Sequence, residues 1–217
     1  MTDQKVPRRR GCFFYGCITG VVCLVAILIA GLLGIQQFKK LLNNYTDTKP
    51  MPLPALKLTP QQIAQVQDRF DSFRDAVRTG RPTAPLALSA DDVNALIASE
   101  PEFRGFKDKL YVMIDGDRLS GQFSLPMAEV GLDHFRGRYL NGTGTFQIAI
   151  ENGVLRLRMQ ECVVKGKPLP SGYMDAIRRQ NLAARVNANP RAAAALSRIA
   201  SIQVSDGKLI IVPKPSE

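Results

Sequence analysis

The sequence predicts an α+β domain, an antiparallel β-sheet of hairpins packed against helices, carried behind an N-terminal transmembrane helix. Three observations lead there. A run of 24 residues, Cys12 to Ile35, holds no charged side chain. Three Asp-Gly or Asn-Gly pairs, Asp115-Gly116, Asn152-Gly153 and Asp206-Gly207, sit between β-rich segments, the pattern of tight hairpins whose turns need positive φ. Two segments, opening at Thr59 and Ser89, carry capping-box residues ahead of an apolar stripe of helical period.

The uncharged run, as a helix, spans about 36 Å at about 1.5 Å per residue, enough to cross a hydrocarbon core of about 30 Å with some tilt. The competing reading is a cleaved secretory signal, whose apolar region is only about 7 to 15 residues. The run exceeds that length, so a retained anchor is expected. Lys5, Arg8, Arg9 and Arg10 precede it, whereas Lys39 and Lys40 follow closely. The positive-inside rule then keeps residues 1–11 as a basic cytoplasmic tail and sends the C-terminal domain outside the cytoplasmic (inner) membrane, to the periplasmic side. Residues 36–58 read as a helix extension followed by a linker in which Pro50, Pro52 and Pro54 make a semi-rigid spacer. The outer α+β domain covers residues 59–217.

Within it, Thr59-Pro60-Gln61-Gln62 places a cap, a proline at the first helical position and the capping-box partner in order. Ile63, Val66, Phe70, Phe73 and Val77 make one stripe, Gly80 stops the helix, and Asp68, Arg69, Asp71, Arg74, Asp75 and Arg78 face water. Leu86 to Leu88 is a short extended piece. Ser89 opens a second helix, with Val93, Leu96 and Ile97 inward and an end before Pro101. Strands then flank each of the three turns. A helical stretch from about Ser171 to Leu196, broken at Asn189-Pro190, precedes the last hairpin. In the middle hairpin, Phe146, Ile148 and Ile150 alternate with Thr145, Gln147 and Ala149, and Leu155, Leu157 and Met159 with Arg156, Arg158 and Gln160. One face is therefore apolar and the other wet.

The net charge of +10 is divided by the membrane segment. Residues 1–50 hold seven Lys and Arg against two acids, and residues 51–217 hold 22 against 17. The domain's excess is dispersed in short pairs, such as Arg178-Arg179, rather than gathered with aromatics, so no nucleic-acid partner is expected. Cys12, Cys17 and Cys23 lie in the apolar run and leave Cys162 alone in the domain. No disulfide within the domain and no Cys/His metal set follows. His134 is the sole imidazole, and no nucleophile elbow, phosphate loop or His-Glu-x-x-His pair accompanies it. Asp91-Asp92 and Asp115/Asp117 are accounted for as helix-start and turn residues. Asn141-Gly142-Thr143-Gly144 reads as a β-bulge or sheet bend. No catalytic residue, cofactor or metal is expected.

Ser89 to Ala98 (SADDVNALIA), Ile150 to Pro170 (IENGVLRLRMQECVVKGKPLP) and Ile199 to Lys214 (IASIQVSDGKLIIVPK) together resemble the YpmS-like group of bacterial single-pass membrane proteins. More loosely they are similar to LmeA-like extracytoplasmic lipid-binding proteins. In those groups an Asn-Gly hairpin leads to a Gly-x-x-Leu-Pro stretch, matched by Gly166-Lys167-Pro168-Leu169-Pro170. The resemblance covers about half the chain and rests on turn and patterning residues. It implies a curved antiparallel sheet enclosing a helix, like one half of a tubular lipid-binding domain. Two functions are then expected. One is a membrane-anchored binding module holding a lipid or other apolar ligand on a lining of Phe146, Ile148, Ile150, Leu155, Leu157 and Met159. The other is a cell-envelope scaffold whose sheet edge or polar face takes a protein partner. For each lining residue the plainer expectation is an ordinary place in the core.

Overall fold

The computed structural model describes Gln36 and residues 42–130 and 136–215. The expected membrane helix 12–35, the basic tail and His134 lie outside the described residues. Among the described residues no helix is long and apolar enough to cross a membrane.

Helix α1 (Pro60–Thr79) begins as its first four residues dictate. Gln62 N–H donates to Thr59 Oγ1, and Gln62 Oε1 accepts from Thr59 N–H at 2.9 Å. It ends where Gly80 adopts φ 72°, a left-handed turn that a glycine enters without a Cβ clash. Strand β1 (Leu86–Ser89) runs into α2 (Ala90–Ser99), whose Ser89/Asp92 capping box is also closed. The charged side of α1, expected to face water alone, also ties the two helices together: Arg69 meets Asp92 at 3.1 Å, and Arg74 reaches the buried Glu100 at 3.4 Å.

The strands form two sheets rather than one. The larger has the order β2 (Leu110–Asp115), β3 (Arg118–Pro126), β4 (Tyr139–Glu151), β5 (Val154–Val164), β6 (Lys167–Pro168), each pair antiparallel. Between β5 and β6 lie helices of no kind, only the two-residue turn Lys165-Gly166, with φ 52° and 71°. This fourth hairpin was not expected, because Lys lacks the short polar side chain that eases Asn or Asp into that conformation. After β6 come α3 (Ser171–Arg178), α4 (Ala184–Ala188) and α5 (Pro190–Leu196). The last hairpin, β7 (Ile199–Ser205) and β8 (Lys208–Pro213), does not extend the large sheet. It pairs through β8 with β1, giving the three-stranded order β1-β8-β7.

The expected break at Asn189-Pro190 is present, and a second one interrupts the helical stretch at 179–183. Edge pairing explains it. Asn181 Nδ2 donates to Leu155 O at 2.8 Å, its Oδ1 accepts from Leu157 N–H at 3.0 Å, and Leu182 N–H donates to Leu157 O. Asn187 likewise bonds both backbone groups of Leu155. The free edge of β5 is thus satisfied by a chain segment that must leave the helix to reach it. The opposite edge, β2, has the same device: Asn94 of α2, 3% exposed, donates to Val112 O at 2.8 Å and accepts from Val112 N–H at 2.7 Å.

Two cores result. The first gathers Val66, Phe73 and Val77 of α1, Leu86 and Leu88 of β1, Leu96 of α2, and Ile199 and Ile202 of β7. The second is Phe123, Cys162, Val164 and Met174.

Candidate functional site

Hairpin β4–β5 aligns the expected lining as cross-strand pairs: Ile150 opposite Leu155, Ile148 opposite Leu157, and Phe146 opposite Met159. The register then shifts between Thr145 and Phe146. Gln160 is the extra residue, so Cys162 and Val164 continue the apolar face that Leu155, Leu157 and Met159 begin. The bulge expected at Asn141–Gly144 therefore lies one step further along. The glycines have another role. A Cβ on Gly144 would stand 3.3 Å from both the Phe146 ring and the Met159 methyl, and one on Gly121 would stand 3.4 Å from the same ring. Phe146 lies over a glycine floor.

All six lining side chains are half-buried. Ile148, Ile150 and Leu155 pack against the first core, and Met159 against the second. Phe146 and Leu157, the cross-strand partners of Met159 and Ile148, belong to neither core cluster. The structure therefore assigns four of the six a packing role and leaves Phe146 and Leu157, diagonal neighbours in adjacent rows, outside both cores.

A second feature was missed in the sequence. The segment expected as a free spacer is docked from Tyr45 to Met51. Asp47 pairs with Tyr139 through reciprocal backbone bonds of 2.9 and 2.7 Å, filling the place beside β4 that β5 vacates. Thr46, 3% exposed, accepts from Arg138 Nε at 2.6 Å through its hydroxyl and from Lys165 Nζ at 2.8 Å through its carbonyl. Met51 N–H donates to Ser124 Oγ, and Asn141 Nδ2 donates to Lys49 O at 2.9 Å. Lys165 also meets Asp47 at 2.8 Å. That hydrogen bond from Lys165 holds the Asp47 carboxyl below the ordinary carboxylate range, against a smaller opposing effect of burial. The strap, Asn141 and Lys165 border an open cleft of about 410 Å³. The only legible signals were indirect: polar residues at buried strand positions, Ser124 and Asn141, and a lysine in a turn that wants Asn.

Among the described residues, no group of three His, Cys, Asp or Glu is placed to hold a metal ion. Cys162 is 3% exposed, and burial pushes its thiol up to about 11, the opposite of an activated nucleophile. No family model, curated protein or solved structure matches the chain.

Proposed function

We propose that the protein is a single-pass membrane protein, anchored by residues 12–35, whose outward domain binds a lipid or another apolar group on its sheet. The observation that carries this reading is that Phe146 and Leu157 are half-buried and belong to neither core cluster. A sheet curved about the ligand, with Phe146 and Leu157 at its centre, would bury the ligand's apolar surface at about 25 cal/mol per Å². Lys49, exposed at the border of the cleft, offers a cation to an anionic headgroup. Organic extraction of the protein purified in mild detergent, followed by lipid mass spectrometry, tests it. A stoichiometric lipid lost in Leu157→Glu supports the reading, and a lipid-free, fully folded protein overturns it.

The scaffold reading has its own supporting observation. Tyr173, Leu182 and Val186, 53%, 41% and 38% exposed, stand on the segment that closes the β5 edge. Crosslinking in intact membranes that yields one reproducible protein partner at these residues, with no copurifying lipid, favours it.

A further inference from the structure

The strand pairing defines two ends of the large sheet. At the distal end lie the turns at 116–117 and 152–153, joined by the turn at 206–207, whose Gly207 N–H donates to Gly116 O. At the proximal end lie the start of β2, the start of β4, the turn 165–166 and the docked strap. The 101–109 loop joins this end: Ser124 N–H donates to Lys109 O, while Ser124 Oγ accepts from Met51 of the strap.

The two ends differ in charge. The distal turns expose Asp115, Asp117, Glu151 and Asp206 against Arg118 and Lys208. The proximal segments expose Lys49, Arg104, Lys107, Arg136, Lys165 and Lys167 against the acids Asp47, Glu102 and Asp108, of which Glu102 pairs with Arg74 at 3.2 Å and Asp47 with Lys165 at 2.8 Å. Among these cations stands Phe106, 46% exposed. Its loop is ordered by its own backbone: Phe106 N–H donates to Phe103 O at 2.8 Å, and Phe106 O accepts from both Lys109 and Leu110 at 3.0 Å. Phe103 anchors it from beneath, packed against the first core. An exposed aromatic ring on a hydrogen-bonded loop, with Arg104 and Lys107 beside it in the chain, matches the chemistry of a bilayer interface, where rings sit at headgroup depth and cations meet anionic lipids.

Chain length selects the membrane as the occupant. Docking of the strap at Tyr45 leaves about ten residues after Ile35, at most about 35 Å even if fully extended. With an anchor at 12–35, a tether of that length lets the end of the domain that receives the chain reach the bilayer. We propose that this proximal end docks on an anionic membrane surface, inserting Phe106 with Arg104 and Lys107 against lipid phosphates. The inference rests on the anchor reading above and adds a second, peripheral point of attachment, which fixes the domain's orientation rather than only its tether.

The chain has no tryptophan, so Phe106→Trp in the full-length protein supplies a single reporter. The protein is reconstituted with vesicles of phosphatidylglycerol and phosphatidylcholine in about equal amounts, and separately with phosphatidylcholine alone, each with and without brominated acyl chains. The expected result is a blue-shifted emission quenched by brominated lipid in the anionic vesicles and reversed at high salt. Adding Arg104→Gln and Lys107→Gln lowers the docked-to-undocked ratio about 30-fold, from the contribution of each cation near such a surface. If the protein floats with both vesicle types while Trp emission stays that of water, docking is overturned and the anchor stands. Failure to float with phosphatidylcholine vesicles overturns the anchor, and a blue shift confined to anionic vesicles then still supports the docking surface. A shift produced by an added oligonucleotide and not by anionic vesicles overturns it in favour of a nucleic-acid partner.

Discussion

Replacing Asn94 tests whether side chains truly stand in for a missing strand. Its amide satisfies the N–H and C=O of Val112, itself 9% exposed, at the edge of the five-stranded sheet. In Asn94→Leu the volume stays similar, yet both backbone groups are left buried and unpaired. Each orphaned group costs about 1–3 kcal/mol, so a loss of about 4 kcal/mol is expected. With a urea dependence of about 2 kcal/mol per M, the unfolding midpoint falls by about 2 M, and amide exchange of residues 110–115 accelerates. Asn94→Asp separates the donor from the acceptor. A carboxylate still accepts from Val112 N–H but meets Val112 O with no proton to give. Burial and that contact favour the protonated acid, so its folded pKa lies above the unfolded value. The folded state then binds more protons than the unfolded one between the two pKa values. The deficit against the parent is thus full at neutral pH and shrinks as pH falls through the folded pKa. The reasoning is refuted if Asn94→Leu moves stability by less than about 0.5 kcal/mol, or if the Asn94→Asp deficit is the same at every pH.

Gly142→Ala places a methyl 2.5 Å from the Val163 carbonyl oxygen, and the strand pair must separate to admit it. A cost of about 1–3 kcal/mol is expected, read as a fall in Tm of about 2–4 °C per kcal/mol for a domain of this size. Gly172→Ala, where a Cβ meets nothing within 4 Å, should leave Tm unchanged or raised. Because Asp47 titrates below its ordinary value of 3.8, its contribution to docking the strap is fully present above that pH and is lost only as pH falls through the lowered folded pKa. Limited proteolysis between Tyr45 and Met51 should therefore be unchanged from pH 7 to 5 and rise in stronger acid, whereas Asp47→Asn should open the strap at neutral pH. With Cys12, Cys17 and Cys23 replaced by Ser, Cys162 should resist iodoacetamide at pH 8 in the native protein and react once urea unfolds it. Rapid native labelling would contradict its burial at 3% exposure.

Local chemistry made much of this molecule legible in its sequence. Both capping boxes, the glycine stop at Gly80 and the hairpins at Asn152-Gly153 and Asp206-Gly207 depend on residues within a few positions of one another, so their identity alone selects the geometry. The first hairpin instead turns at Gly116-Asp117, one residue beyond the expected Asp115-Gly116 pair. The alternation of β4 and β5 likewise announced one apolar face. Other features needed partners that sequence spacing does not reveal. Nothing near Asn94, Asn181 or Asn187 says that each will complete a strand edge 18, 26 or 32 residues away. Lys165 of the turn Lys165-Gly166 donates a hydrogen bond to the backbone carbonyl of Thr46, 119 residues earlier.

The choice between spacer and strap was also tertiary. Pro50, Pro52 and Pro54 stiffen the chain in either case, and it is the Asp47–Tyr139 backbone bridge, the buried Ser124 and Asn141 side chains, and Arg138 and Lys165 that hold the preceding residues onto the sheet. The division into two sheets has the same origin. A hairpin encodes its own turn and register but not the strand it will lie beside; β8 lies beside β1, while Asn94 of α2 occupies the edge of β2. What the amino acids determined by themselves is therefore every element whose hydrogen bonds close locally. What the tertiary structure decided is where the remaining backbone donors and acceptors find partners, since a buried group left without one costs as much as most local preferences contribute.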